Sequence, residues 1–340
     1  MRAMVLDEYG GPFRRAEVDV PKPGPGEALM RIRSTGVGLT LQNIRLGRLG
    51  PIQFPRIIGH ETAGDIVEVG PGVDDLRPGD RCVVHFYLTC GKCKWCLVGR
   101  ETLCSNHRGY VGVAVDGAFA EYIKLPARNF LPIPPEVDYE AAAVAADAIC
   151  TPWHCFTKRA RVGPLDDVLI IGAGGGVAIH AVQVAKLFGA RVIAADISEE
   201  KLALARQYGA DIGINVRERP LPQAVREVTD GEGVDVCVDF VGSPATAQDG
   251  IASLGTSGTY VIIGVEPGTF PFNITQLILP ELTLTGSRYS SRQELRESID
   301  LVARGLVKPV VGARVALEDV GQLFDMLEKG TLLGRGAIVY

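Results

Sequence analysis

The sequence has no surplus of positive charge: 35 Lys and Arg stand against 40 Asp and Glu, for a net charge of −5. That balance excludes an electrostatic pull toward nucleic acid or an anionic membrane surface. A long unbroken apolar run is also missing. The most apolar stretch, residues 168–187, is interrupted by His180, Gln183, Lys186 and several glycines, which makes it a poor membrane span. The first ten residues show no basic segment followed by an apolar one, so no secretory signal is expected and a cytoplasmic setting is. Internal repeats and low-complexity segments are absent as well.

What is present is an ordinary globular balance, with 46% hydrophobic and 22% charged residues. A chain of 340 residues exceeds what one core usually holds, so two domains are expected. Glycine and proline number 41 and 21, roughly 18% of the chain against a usual share of about 12%. With the apolar fraction sustained, that excess means many tight turns.

The first half reads as short apolar segments, residues 2–7, 27–33, 64–70 and 81–84, separated by Gly and Pro turns. This predicts a β-rich, folded-over barrel. From Val168 the texture changes to alternation: strands at 168–171, 191–195, 234–240 and 259–264, with helices at 198–208 and up to Leu187. Alternation of that kind predicts a parallel sheet. Near the C-terminus, Ser291-Arg292-Gln293-Glu294 is a capping box opening a helix that Gly305 closes, and residues 317–329 form another ending at Gly330.

Eight cysteines occur, and four of them lie within fifteen residues as Cys90-x2-Cys93-x2-Cys96-x7-Cys104. In a reducing compartment, such spacing suits four thiolates wrapped around one zinc ion more than disulfides. Gly91 and Gly99 give the loop its turns, while Lys92, Lys94 and Arg100 offset the negative charge. A closed four-thiolate shell leaves no position for substrate, so this zinc is expected to be structural.

Strand 168–171 runs into Gly172-Ala173-Gly174-Gly175-Gly176-Val177 and then a helix. Gly172 allows the tight turn, and Gly174, Gly175 and Gly176 let backbone approach a pyrophosphate at the helix N-terminus. Asp196 ends the following strand, where its carboxylate suits the adenosine ribose hydroxyls and disfavours a 2′-phosphate. NAD is therefore the expected cofactor.

Taken together, the motifs resemble the zinc-type medium-chain dehydrogenase/reductases, the alcohol dehydrogenase family. The likeness rests on Gly59-His60-Glu61, the four-cysteine lobe, Pro78-Gly79-Asp80, Ala118-Phe119-Ala120-Glu121-Tyr122, the nucleotide turn, and Gly334-Arg335-Gly336, in family order along the whole chain. It implies an α/β fold: a GroES-like, β-rich catalytic domain over residues 1–150 with the zinc lobe at about 88–105, a Rossmann doubly wound parallel sheet over 151–287, and a return to the catalytic domain over 288–340. It further implies Val177, Lys201, Val241 and Arg335 as cofactor contacts, Thr40 as the proton-relay hydroxyl, His60 or Thr40 as the acid where zinc is absent, and a homodimer or homotetramer.

One segment departs from the family. Where members read Cys-Gly-Val-Cys-His-Thr-Asp, this chain reads Thr35-Gly36-Val37-Gly38-Leu39-Thr40-Leu41. Gly38 replaces a thiolate ligand of the catalytic zinc, and Leu41 replaces the carboxylate that orients the ligating histidine. His60, Glu61 and Asp147 remain, so the second zinc is expected to be weak or absent, with His60 and Asp147 hydrogen-bonded to each other as the metal-free alternative. Three functions follow as expectations. The first is an NAD-dependent oxidoreductase acting on an alcohol or carbonyl compound. The second is a metal-free reductase of conjugated enone or quinone-like carbonyls, and the third a non-catalytic NAD-binding protein.

Overall fold

The computed structural model describes residues 1–340. Seven strands come first: β1 Arg2–Leu6, β2 Phe13–Glu17, β3 Glu27–Val37, β4 Glu61–Val69, β5 Arg81–Val84, β6 Tyr122–Pro126 and β7 Phe130–Pro132. Six follow in the middle of the chain: β8 Asp167–Ile171, β9 Arg191–Asp196, β10 Ile212–Asn215, β11 Val234–Asp239, β12 Leu254–Ile262 and β13 Thr283–Gly286. The last two are β14 Val311–Val315 and β15 Arg335–Val339. The chain forms two compact units, one of Met1–Cys150 with Ser290–Tyr340 and the other of Thr151–Tyr289.

In the first unit the sheet runs β14-β15-β3-β4-β5-β7, with β6 also paired to β3 and β1 paired to β2. β3 is eleven residues long and can therefore hold three neighbours at once. Register shifts at Leu29/Met30 and Ile32/Ser34 mark bulges that bend it. The C-terminal strand β15 lies antiparallel to β3, with Gly336 opposite Val37 and Ile338 opposite Thr35. A core of Leu6, Val37, Leu41, Ile58, Phe119, Phe324 and Ile338 fills this unit, and Phe13 sits edge-on to Phe119 at 5.6 Å. The capping box at Ser291 has both of its halves, and helix Arg292–Ala303 ends at Gly305 with φ +67°.

The second unit is a parallel sheet in the order β10-β9-β8-β11-β12-β13. Val168, Leu169, Ile170 and the run Val192–Ala195 are fully buried, as expected for strands covered on both faces by helices. Chain order reverses direction between β8 and β11, the place where doubly wound sheets bind ligands at their strand carboxyl ends. Sequence reading did not foresee β10, helix Leu221–Val228 or helix Tyr139–Val144. Ile212–Asn215 is too short, and 139–144 too alanine-rich, to show a period.

Candidate functional sites

The cysteine lobe brings all four predicted thiols together. Cys93 Sγ lies 3.6 Å from Cys96 Sγ and 3.9 Å from Cys104 Sγ, and Cys104 Sγ lies 3.5 Å from Cys90 Sγ. An ion bonded to four sulfurs at about 2.3 Å sets them about 3.8 Å apart, so these separations fit tetrahedral zinc. Gly91 and Gly99 turn the loop with φ of +74° and +69°. Backbone N–H groups of Cys96 and Ser105 pull the Cys93 thiol down to about 6, which favours the thiolate a metal needs. Lys94 and Arg100 both lie over the Trp95 ring, 4.8 and 5.3 Å from its centroid, holding positive charge on the lobe.

The glycine turn after β8 is held from several sides. Gly172 has φ +76° and donates its N–H to Ala195 at 2.8 Å, which ties the turn to β9. Asp196 accepts the Gly174 N–H at 3.0 Å on one oxygen and the Ile197 N–H at 2.8 Å on the other. The open side of Gly174 is filled by Lys201, whose Cα would sit 2.9 Å from a Cβ there, with its side chain nearer still. That glycine is therefore required by the close approach of helix Glu199–Gln207, a different reason from the pyrophosphate approach read from sequence. The Gly176 carbonyl accepts from His180 Nδ1 at 2.9 Å, and Val177 opens helix Ala178–Leu187. Val241 follows β11, half-exposed, its N–H donating to Asp239 at 2.8 Å. Asp239, missed in the sequence, also accepts from Gly242 N–H and from the Tyr260 hydroxyl at 2.9 Å each. Only its place at the end of a buried strand signalled it.

In the first unit, β3, β4, the helix region after Asp138 and β15 bring Gly38, His60, Glu61, Asp147 and Arg335 together. Glu61 opens β4 opposite Gly36, where a Cβ would come 2.5 Å from Glu61 Oε2. Asp147 sits in a π-helical turn, Ala145–Ile149, that follows helix Tyr139–Val144, itself capped by the Asp138 carboxylate. Arg335 opens β15 and donates through Nε to Glu61 at 2.9 Å, through Nη2 to the other Glu61 oxygen, and through Nη2 to Asp147 at 3.1 Å. Arg335 is 2% exposed, Glu61 0% and Asp147 7%. Burial pushes Glu61 up to about 7 against the pull of Arg335. Burial also lowers His60 to about 4, so its ring, packed 4.3 Å from Phe86, is neutral.

Arg335, expected from the resemblance as a cofactor contact, donates Nε and Nη2 to the two buried carboxylates. One expectation is corrected here. His60 and Asp147 do not form a hydrogen-bonded pair: His60 Nε2 is buried without a partner, 3.7 Å from Glu61 Oε1. Thr40 lies half-buried in the first turn of helix Leu39–Arg45, two residues beyond Gly38, while Leu41 is fully buried in the apolar core. The donor set His60, Glu61 and Asp147 lies within 4.8 Å, but with both carboxylates bound to a guanidinium it does not fit a second metal ion.

Comparison with known proteins gives matches across both units. A family model described as an alcohol dehydrogenase GroES-like domain covers residues 24–135, and one described as a zinc-binding dehydrogenase covers residues 176–304. An NAD-dependent alcohol dehydrogenase of Sulfolobus acidocaldarius is 32% identical over 98% of each chain. An acryloyl-coenzyme A reductase of Metallosphaera sedula is 31% identical, again over 98% of each. The crystal structure of the alcohol dehydrogenase from Aeropyrum pernix superposes with a TM-score of 0.93 at 34% identity, covering all of both chains.

Proposed function

This chain belongs to the zinc-binding alcohol dehydrogenase family of medium-chain dehydrogenase/reductases, and from that membership we propose an NAD-dependent oxidoreductase that moves hydride between nicotinamide and an alcohol or carbonyl compound. The observation that carries the cofactor reading is Asp196. It stands at the carboxyl end of β9, beside the glycine turn, in a sheet whose order reverses at β8 and β11. Its carboxylate suits two ribose hydroxyls and repels a 2′-phosphate, and Lys201, whose stem packs against Gly174, would add a further ribose contact. Bound NAD supplies the hydride acceptor or donor. In this proposal residues 1–150 with 290–340 form the catalytic domain, and 151–289 the nucleotide domain.

Within the catalytic domain, we assign the substrate proton to the Thr40 hydroxyl or to the His60 imidazole, which burial keeps neutral. Cys90, Cys93, Cys96 and Cys104 would hold one structural zinc, a closed tetrathiolate that stiffens the loop and touches no substrate. The outer edge of β13, with exposed Leu279 and Ile278 nearby, supports pairing of two or four copies. No helix is long and apolar enough to cross a membrane, and eight free cysteines suit the reducing cytoplasm.

The test is turnover of NAD with a panel of primary, secondary and cyclic alcohols, and of NADH with the matching carbonyls. Thr40→Val should cut kcat at least tenfold while NADH binding persists. A second reading, reduction of a conjugated C=C, is favoured by the acryloyl-coenzyme A reductase relative. It predicts NADH oxidation by enones or enoyl thioesters and none by saturated ketones. NADH binding with no turnover of either panel would leave a non-catalytic protein.

A further inference from the structure

By its ligand list alone, the cluster of His60, Glu61 and Asp147 reads as a metal site. An imidazole nitrogen and two carboxylates converge within 4.8 Å, a donor set that suits a divalent transition metal. The geometry argues otherwise. We propose that the Arg335 guanidinium is the permanent cation of this pocket and that it closes the pocket to a second metal ion.

Three observations meet in this proposal. The first is charge. Arg335 spends Nε and Nη2 on both Glu61 oxygens and on Asp147, so the carboxylates that a metal would need are already paired. A guanidinium does not lose its proton in a protein, and this one is tethered beside its partners at the start of β15. An incoming ion would have to expel it and leave it buried without counter-charge.

The second observation is volume. A Cβ at Gly38 would come within 2.8 Å of Arg335 Nη2 and nearer still to Nη1. The backbone there is extended, with φ −151° and ψ −174°, a conformation open to any residue. What forbids a side chain at position 38 is therefore the guanidinium. Gly36, two residues earlier on the same face, gives room to the Glu61 carboxylate in the same way. The two glycines and the arginine, almost 300 positions apart in sequence, complement one another.

The third is the support of the histidine. His60 Nε2, buried without a hydrogen-bond partner and 3.7 Å from Glu61 Oε1, is the donor a metal could take. An imidazole that ligates a metal normally has its other nitrogen held by an acceptor, and Leu41, packed into the apolar core, supplies none. A single neutral imidazole, with both neighbouring carboxylates taken, does not retain an ion.

The experiment counts metal in the purified protein and in two variants, with folding checked by circular dichroism. Zinc per chain is read by mass spectrometry after gel filtration. Cobalt added to the zinc-loaded protein reports a second site through its visible absorption. The parent should hold one zinc per chain and show no new cobalt band. Gly38→Cys should still hold one, because Arg335 occupies the space. Gly38→Cys combined with Arg335→Ala should take up a second equivalent, with a cobalt–thiolate band.

Two tightly held zincs in the parent, or a second zinc in Gly38→Cys alone, would overturn the proposal. So would a folded double variant that still holds only one, since Arg335 would then not be what closes the pocket. Should the double variant not fold, the counts for the parent and for Gly38→Cys still decide. None of these readings depends on turnover, so their failure leaves the hydride-transfer assignment standing.

Discussion

Asp196 holds the Gly174 N–H at 3.0 Å with one carboxylate oxygen and the N–H of Ile197 with the other. One side chain thus fixes the glycine turn after β8 and presents its remaining lone pairs at the end of β9. The same carboxylate is the group proposed to recognise the ribose. Positioning and recognition are coupled in it, so its removal affects both.

Asp196→Ala should weaken NADH binding by about 10–100-fold, the usual cost of losing hydrogen bonds to a charged group. It should also narrow the gap between NADH and NADPH. Fluorescence titration with both cofactors measures this. Equal affinity of the unsubstituted protein for the two would refute the assignment.

Cys93→Ser should release the structural zinc and destabilise the first unit. Small zinc modules gain about 10–16 kcal/mol from the metal at neutral pH. Within a larger domain part of that remains as a loss of a few kcal/mol, roughly 5–10 °C in Tm. A zinc-free variant melting at the parent temperature would contradict a structural role for the lobe.

His85 is buried with Nε2 3.1 Å from the Ser290 carbonyl, and burial lowers it from 6.5 to about 4. Between those values the unfolded chain binds a proton that the folded chain does not. Stability is therefore fully present above pH 6.5 and is lost as pH falls toward 4, about 2 kcal/mol of it by pH 5. His85→Gln keeps a donor for Ser290 but cannot be protonated. The drop in Tm between pH 7.5 and pH 5 should shrink in that variant, and an unchanged drop would place the acid sensitivity elsewhere.

Leu279 is 84% exposed and Ile278 62%, next to β13, the last strand of the parallel sheet. Leu279→Asp combined with Ile278→Asp should shift the protein toward monomer in light scattering, with NADH binding retained. Unaltered mass in an oligomeric parent would move the interface to another surface.

Sequence by itself determined whatever depends on neighbours along the chain. The four cysteines fall within one short loop, so their spacing already carried the tetrahedral site. The Val168–Ile171 run, its glycines and Asp196 specify a local strand, turn and helix, and the Ser291 capping box is complete within four residues. Set beside the family pattern the chain resembles, Gly38 and Leu41 likewise mark a lost thiolate and a lost acid. Tertiary structure alone decided what fills the gap, because β15 is placed beside β3 only when the C-terminal segment returns to the first unit. No periodicity links residue 38 to residue 335. The reason Gly174 is glycine belongs to the same class, since it lies in a helix that packs against the turn from 27 residues further on. Close approach between distant segments sets both positions, and a chain read in one dimension contains no distances.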